Sequence, residues 1–428
     1  MTRERPSQAI RRDVAGNCHA AFCARLILLV MGAGVVAGLL EDLPARWRGS
    51  SAPMPVTRYR VRVGRTARDV VVEPGGCRVE RCNGQAPDAE IVTDVGTWRD
   101  IDKGRLSGIE AFAQRRLSVR GSIERSLHFE PLFERPDAGG MRYEIEMVST
   151  GRARVSTLFA GPVDAQPLIL IHGLGATKSS WLPIVPALAK RYRVLAIDLP
   201  GFGASSKPVG AYNAPWFAGH VFSLLDRLGY ERALLAGNSM GGRISMEMAM
   251  RGPDRVAGIA CLCPAAAFSY RPLVWAARLA RPELGVLAAR LPRRRVHDGL
   301  RELFAVPSRV EDSWYDAAVD DFLQVWRSPR ARMAFFTALR HIYLEEPYGD
   351  AGFWGRLAAM EPPALFVYGR RDALITSRFA QKVRTTVPRA TVDVWNDCGH
   401  VPQIEHPERT AKKLLQFFST AERKLAAG

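Results

Sequence analysis

The sequence predicts an α/β fold: a mostly parallel sheet with a helical cap, preceded by a smaller α+β domain. Three observations carry this expectation. Apolar runs such as "PLILIHG", "VLAIDLPG", "ALLAGNS" and "ALFVYGRRD" recur after residue 145, with helical patterning between them. Strands that are apolar at every position are buried on both faces, as in parallel sheets flanked by helices. Residues 57–82 instead alternate polar and apolar positions between glycine turns, which predicts antiparallel strands. From Ala266 to Met360 the strand rhythm stops and helical patterning takes over, as expected of an inserted cap.

The chain has 428 residues, more than one compact domain usually needs. Taken in order, it opens with a basic tail over 1–24. The first domain covers 25–135 and begins with an apolar stretch, Leu26–Leu40, of 15 residues without charge. A membrane span needs about 20 such residues. The stretch therefore reads as a buried helix opening the domain or as an interfacial or anchoring helix, and both readings stay open. After the antiparallel strands come a helix containing Trp98, a helix around Ile109–Arg116, the strand "LSVRG" and a helix over 125–133. A linker over 136–144 leads to the second domain. Its core is expected in two pieces, 145–265 and 361–428, with the cap over 266–360 between them. "RYEIEMVST" and "RARVSTLFAG" predict a hairpin, and Trp216–Leu228 a helix. "ATVDVWNDCGH" predicts the last strand.

Composition narrows the function classes. With 47% hydrophobic and 24% charged residues the chain is globular rather than disordered. Its formal net charge of +17 favours anionic surfaces or ligands. There is no compact basic and aromatic recognition module, so nucleic acid is not an expected partner. The seven cysteines form neither a disulfide framework nor a paired CxxC site, which makes a reducing, cytoplasmic setting the default. The histidines are scattered without metal-ligand spacing, and "HGLGATKSS" lacks the GK[ST] ending of a phosphate loop. Nothing in the sequence sets an oligomeric state.

Four motifs carry chemistry. Gly237-Asn238-Ser239-Met240-Gly241-Gly242 follows an apolar strand and opens a helix. In that context a G-x-S-x-G pattern makes a sharp bend that lifts the serine clear of the sheet, making Ser239 a candidate nucleophile. His172-Gly173-Leu174-Gly175 ends another strand, and the backbone N–H groups of Leu174 and Met240 are candidates for an oxyanion hole. His172 precedes the serine and is expected to support this loop. Asp372, in "GRRDALI", is the candidate acid that orients a base. Asp198 is its rival, but its chain order favours a role in fixing the turn Pro200–Gly203. His400, in "NDCGHVPQIEHPE", is the candidate base, preferred over His406 at a surface helix start.

With these motifs in order, residues 145–420 resemble the α/β-hydrolase fold family, on "HGLG", "DLPGFGAS", "GNSMGG", "GRRDALI" and "DCGHVPQIEHPE". The resemblance implies a Ser239–Asp372–His400 triad and no cofactor. "GNSMGG" with a helical cap resembles the ester and carbon–carbon bond hydrolases of the family. Haloalkane dehalogenases and epoxide hydrolases use an aspartate where Ser239 stands, which argues against both. Residues of about 25–135 resemble, more weakly, a sterol-carrier-like lipid-binding domain, on Asp94, Trp98, Gly104, Ala111 and Gly121. That resemblance implies an apolar tunnel for lipids or acyl groups. The expectation is a serine hydrolase that cleaves an apolar lipid or acyl ester through an acyl-enzyme, with peripheral membrane contact as an added option. The alternatives are a carbon–carbon bond hydrolase of meta-cleavage type and a non-enzymatic lipid-binding protein.

Overall fold

The computed structural model describes residues 37–49, 55–266, 271–279, 281–286, 290–349 and 352–427. The expected basic tail and most of the apolar stretch 26–40 lie outside the described residues. The same holds for short pieces of the expected cap. Among the described residues no helix is long and apolar enough to cross a membrane.

The N-terminal sheet has five strands, β1 (Thr57–Val63), β2 (Thr66–Glu73), β3 (Gly76–Glu80), β4 (Ala89–Thr93) and β5 (Leu117–Gly121), in the order β3-β2-β1-β4-β5. β1 and β4 run parallel and the other pairs antiparallel. β1 alternates buried and half-buried residues, because one face packs on helices and the other carries Arg58, Arg60 and Arg62. Helices Val95–Asp102 and Gly108–Ala113 cover the apolar face. Asp94 caps the first, and Ser107 with Glu110 forms a capping box on the second. The helix expected over 125–133 is instead Ile123–Leu127 followed by a single tight turn, Glu130–Leu132. Ser122 caps it two residues early, and Pro131 cannot continue an α-helix.

The second sheet has eight strands: β6 (Tyr143–Ser149), β7 (Arg154–Ala160), β8 (Pro167–Ile171), β9 (Arg193–Ile197), β10 (Ala233–Asn238), β11 (Val256–Leu262), β12 (Ala364–Gly369) and β13 (Thr391–Trp395). Their order is β13-β12-β11-β10-β8-β9-β7-β6. β6 and β7 form the expected antiparallel hairpin, and β8 to β13 pair in parallel. β8, β10, β11 and β12 are buried at every position, which explains their unbroken apolar runs. The helix expected over 216–228 spans Ala214–Arg227, because Asn213 caps it and Pro215 fits its first turn. Between β11 and β12 lie helices Arg271–Leu279, Arg293–Arg301, Asp312–Trp326, Pro329–Tyr343 and Phe353–Ala358. One continuous apolar core joins the N-terminal sheet to the face of the large sheet that holds Leu158, Leu170 and Leu365.

Candidate active site

The site is built at the carboxyl ends of the parallel strands. β10 ends at Asn238 and helix Met240–Arg251 begins one residue later, so Ser239 must turn the chain by itself. It does so at φ 53°, ψ −114°, a conformation that costs about 1–3 kcal/mol and is held by its surroundings. The glycines around it are steric necessities. A Cβ on Gly241 would lie 2.0 Å from the carbonyl oxygen of Ile171, and one on Gly237 would lie 2.2 Å from the backbone of Gly241. The elbow therefore closes only without side chains at these positions.

Asp372 follows β12. Its Oδ1 accepts the N–H groups of Leu374 and Ile375, both at 2.8 Å. Its Oδ2 lies 2.8 Å from His400 Nδ1. With Nδ1 as the donor, Nε2 is left as the basic nitrogen of the ring. Two backbone contacts hold the His400 loop. The His400 N–H donates to Leu303 O at 2.7 Å, and Asn238 Nδ2 donates to His400 O at 3.0 Å. Asn238 thus joins the serine turn to the histidine loop. Ser239 and His400 are both buried, at 3% and 4% exposure.

The loop after β8 lies against the serine: a Cβ on Gly173 would be 3.3 Å from Ser239 Cβ. Met240, first in its helix, contributes an N–H with no intrahelical acceptor. His172 is fully buried, with Nδ1 donating to Gly173 O at 2.7 Å and Nε2 accepting the Leu199 N–H at 3.0 Å. Burial pushes its pKa down, so it stands as a neutral brace. Asp198 accepts from Lys178 N and Nζ and from Ala204 N, at 2.7, 2.8 and 2.9 Å. His406 lies 2.9 Å from Asp397 O and 2.8 Å from Arg309 Nη1. None of these hydrogen bonds takes Asp198 or His406 to the serine.

Cap helices Asp312–Trp326 and Pro329–Tyr343 bring an aromatic cluster, Phe322, Trp326, Phe335 and Phe336, over the loop that follows β8. A Cβ on Gly175 would be 3.0 Å from the Phe335 ring. At the end of the second helix Tyr343, buried to 4% exposure, interacts with the Ser239 hydroxyl. Burial pushes its pKa up to about 12, so it is a neutral phenol at ordinary pH. Glu345 fastens this segment. It accepts from Arg243 Nε at 2.6 Å and from Arg356 Nη2 at 2.7 Å. Arg243 also donates to Glu247 at 2.8 Å, inside the helix that Ser239 opens. Asn238, Arg243, Tyr343 and Glu345 were not singled out from sequence. Asn238 stood inside a motif, but the others meet only through the fold.

Two side-chain groups among the described residues have the spread of a metal site: Cys263–Asp372–His400 and Cys398–Glu405–His406. Hydrogen bonds already employ their oxygens. Asp372 serves His400 and two amides, and Glu405 accepts the Val306 and Gly399 N–H groups at 2.8 and 2.7 Å.

Comparison with known proteins matches residues 166–407 to the alpha/beta hydrolase fold family and residues 55–134 to the SCP-2 sterol transfer family. A 2-hydroxymuconate semialdehyde hydrolase of Pseudomonas sp. (strain CF600) is 31% identical over 271 residues, covering 60% of this chain and 88% of that protein. A 2-hydroxy-6-oxononadienedioate/2-hydroxy-6-oxononatrienedioate hydrolase of Pseudomonas putida is 28% identical over 272 residues, covering 59% and 88%. The solved structure of a bacterial membrane phospholipase A is similar at a TM-score of 0.55 and 28% identity, covering 66% of this chain and 87% of that one. The two hydrolases, named for unsaturated oxo acids, overturn the expected lipid or acyl ester as the substrate. The physical reason for the error is plain. The elbow, loop and triad motifs are common to ester and carbon–carbon hydrolysis, while the cap that separates them carries no such motif.

Proposed function

Because the chain belongs to the alpha/beta hydrolase fold family and is a hydrolytic enzyme acting on a small organic substrate, we propose that it is a carbon–carbon bond hydrolase of the meta-cleavage type. Its substrate is a ring-fission dienoate that carries an aldehyde or ketone carbonyl. The observation that carries the proposal is the 31% identity to the 2-hydroxymuconate semialdehyde hydrolase over 88% of that protein's length.

In this reading Ser239 Oγ adds to that carbonyl carbon while His400 Nε2 takes its proton. Asp372 keeps Nδ1 protonated and the ring oriented, with the contact of 2.8 Å as support. The Leu174 and Met240 amides hold the oxyanion, each contributing about 3–4 kcal/mol to the transition state. The carbon–carbon bond breaks when the enol end of the substrate is in its keto form. The released electron pair then spreads into the conjugated oxo acid, which takes the proton from His400. Water releases the acyl group as a carboxylic acid. The aromatic cluster of the cap supports a flat, unsaturated substrate.

The proposal also gives the N-terminal domain an apolar ligand. Ile91, Trp98, Ile109, Phe112, Val119 and Phe129 line a cavity there. We also propose a reducing compartment, and the five free cysteines among the described residues support that reading. The test is turnover of a ring-fission dienoate by the wild type and by Ser239→Ala. The proposal expects the variant to fold and to lose turnover. Wild-type turnover by Ser239→Ala would refute it.

A further inference from the structure

Helix Ile123–Leu127 belongs to the N-terminal domain and has two occupied faces. Ile123, Ser126 and Leu127 line the apolar cavity of that domain. Glu124 points the other way, into the hydrolase core, where both its oxygens lie 2.6 Å from Lys178 Nζ. Lys178 is fully buried. Its ammonium also donates to Asp198 Oδ2 at 2.8 Å and Ser156 Oγ at 3.0 Å. A buried ammonium is tolerable only when its donors are met, so Glu124 completes a set that the core alone leaves open.

Lys178 stands three residues after Gly175, at the base of the loop that carries Leu174. Its own N–H donates to Asp198 Oδ1 at 2.7 Å. Backbone and side chain are thus pinned at one point. The cap reaches the same helix: Asp321 accepts the Ser122 hydroxyl at 2.7 Å and the Glu124 N–H at 3.3 Å. One five-residue helix therefore touches the cavity, the oxyanion loop and the cap.

We propose that Glu124 is a positioning residue for the oxyanion loop, and that helix Ile123–Leu127 carries the occupancy of the N-terminal cavity to the hydrolase site. An apolar ligand that contacts Ile123 and Leu127 acts on the helix that holds Glu124. Any displacement of that carboxylate moves Lys178 and, with it, the Leu174 amide. Small errors in the position of a catalytic group reduce rate without weakening substrate binding in proportion. The cavity is in this way a regulatory site for an apolar molecule, and the coupling is reciprocal. This inference rests on the roles proposed for Ser239 and Leu174.

The experiment is a double-mutant cycle on the full chain, read with a ring-fission dienoate. Glu124→Gln keeps the size of the side chain and removes its charge. It is expected to lower kcat about tenfold with KM within about twofold. Ser126→Phe fills the cavity side of the helix. It is expected to change kcat by about threefold or more in the wild type, and by less than about twofold in the Glu124→Gln background. Wild-type kcat and KM for Glu124→Gln would overturn the positioning role. An equal effect of Ser126→Phe in both backgrounds would overturn the coupling. If Glu124→Gln does not fold, Glu124→Asp supplies the same readout, because it keeps the charge and shortens the reach. Loss of turnover in Ser239→Ala beside a wild-type Glu124→Gln sinks this inference alone, whereas an active Ser239→Ala sinks the reading beneath it.

Discussion

At the scale of single residues, the account depends on where hydrogen bonds and steric room run out. Gly241 has no space for a methyl group, since the nearest atom is a backbone oxygen rather than a side chain that can move. Gly241→Ala is expected to destabilise the fold by about 3 kcal/mol, seen as a lower thermal midpoint, and to abolish turnover. Tyr343 is a different case. Its phenol is held neutral by burial and meets the Ser239 hydroxyl. Tyr343→Phe is expected to fold normally and to lower kcat about two- to tenfold. The pH profile below the range of phenol ionisation is expected to be unchanged, because no charge is removed there. Ser239, Asp372 and His400 could be picked out as candidates from sequence because each sits at a strand end in a local pattern. Tyr343 could not be, since only the return of a cap helix over the sheet brings it to the serine.

Elements show the same division between local and long-range information. The apolar runs of β8, β10, β11 and β12 were legible because burial on both faces leaves a direct mark on composition. The cap was legible as helical, but its approach to the loop after β8 and to the helix after Ser239 was not. That approach is made by pairs distant in sequence, such as Gly175 with Phe335 and Arg243 with Glu345. Helix Ile123–Leu127 was expected later in the chain, and its true start is what aims Glu124 at Lys178. The fastening of the cap's return segment also gives a prediction. Arg243→Met removes one partner of a buried ion cluster and leaves Glu247 and Glu345 with only part of their compensation. It is expected to cost about 3–5 kcal/mol, measured by thermal or denaturant unfolding.

On the scale of the whole molecule, the N-terminal domain, core and cap meet at a buried polar cluster: the ions Glu124, Lys178 and Asp198, and Asp321 from the cap beside them. Burial pushes the Asp321 carboxyl up to about 7, against the hydrogen bond from Ser122. The folded state therefore prefers this carboxyl protonated. Its stabilisation is fully present below the ordinary carboxylate range and is lost as pH rises through about 7. Asp321→Asn is expected to flatten that part of the stability profile, so thermal midpoints between about pH 4 and pH 7, the interval from the ordinary to the raised pKa, should differ less than in the wild type. The sequence could announce two domains and a cap, but not that three modules share one buried polar cluster, because polar residues in three separate segments carry no common pattern.

The central claim is that the triad and its cap serve carbon–carbon bond cleavage. The most direct measurement compares kcat/KM for a ring-fission dienoate with kcat/KM for a panel of carboxylic esters on the same purified full-length protein, with the products identified. The account predicts conversion of the dienoate to a carboxylic acid and a shortened hydroxydienoate, with kcat/KM at least about a hundredfold above any ester. Efficient ester hydrolysis with the dienoate left intact would contradict it.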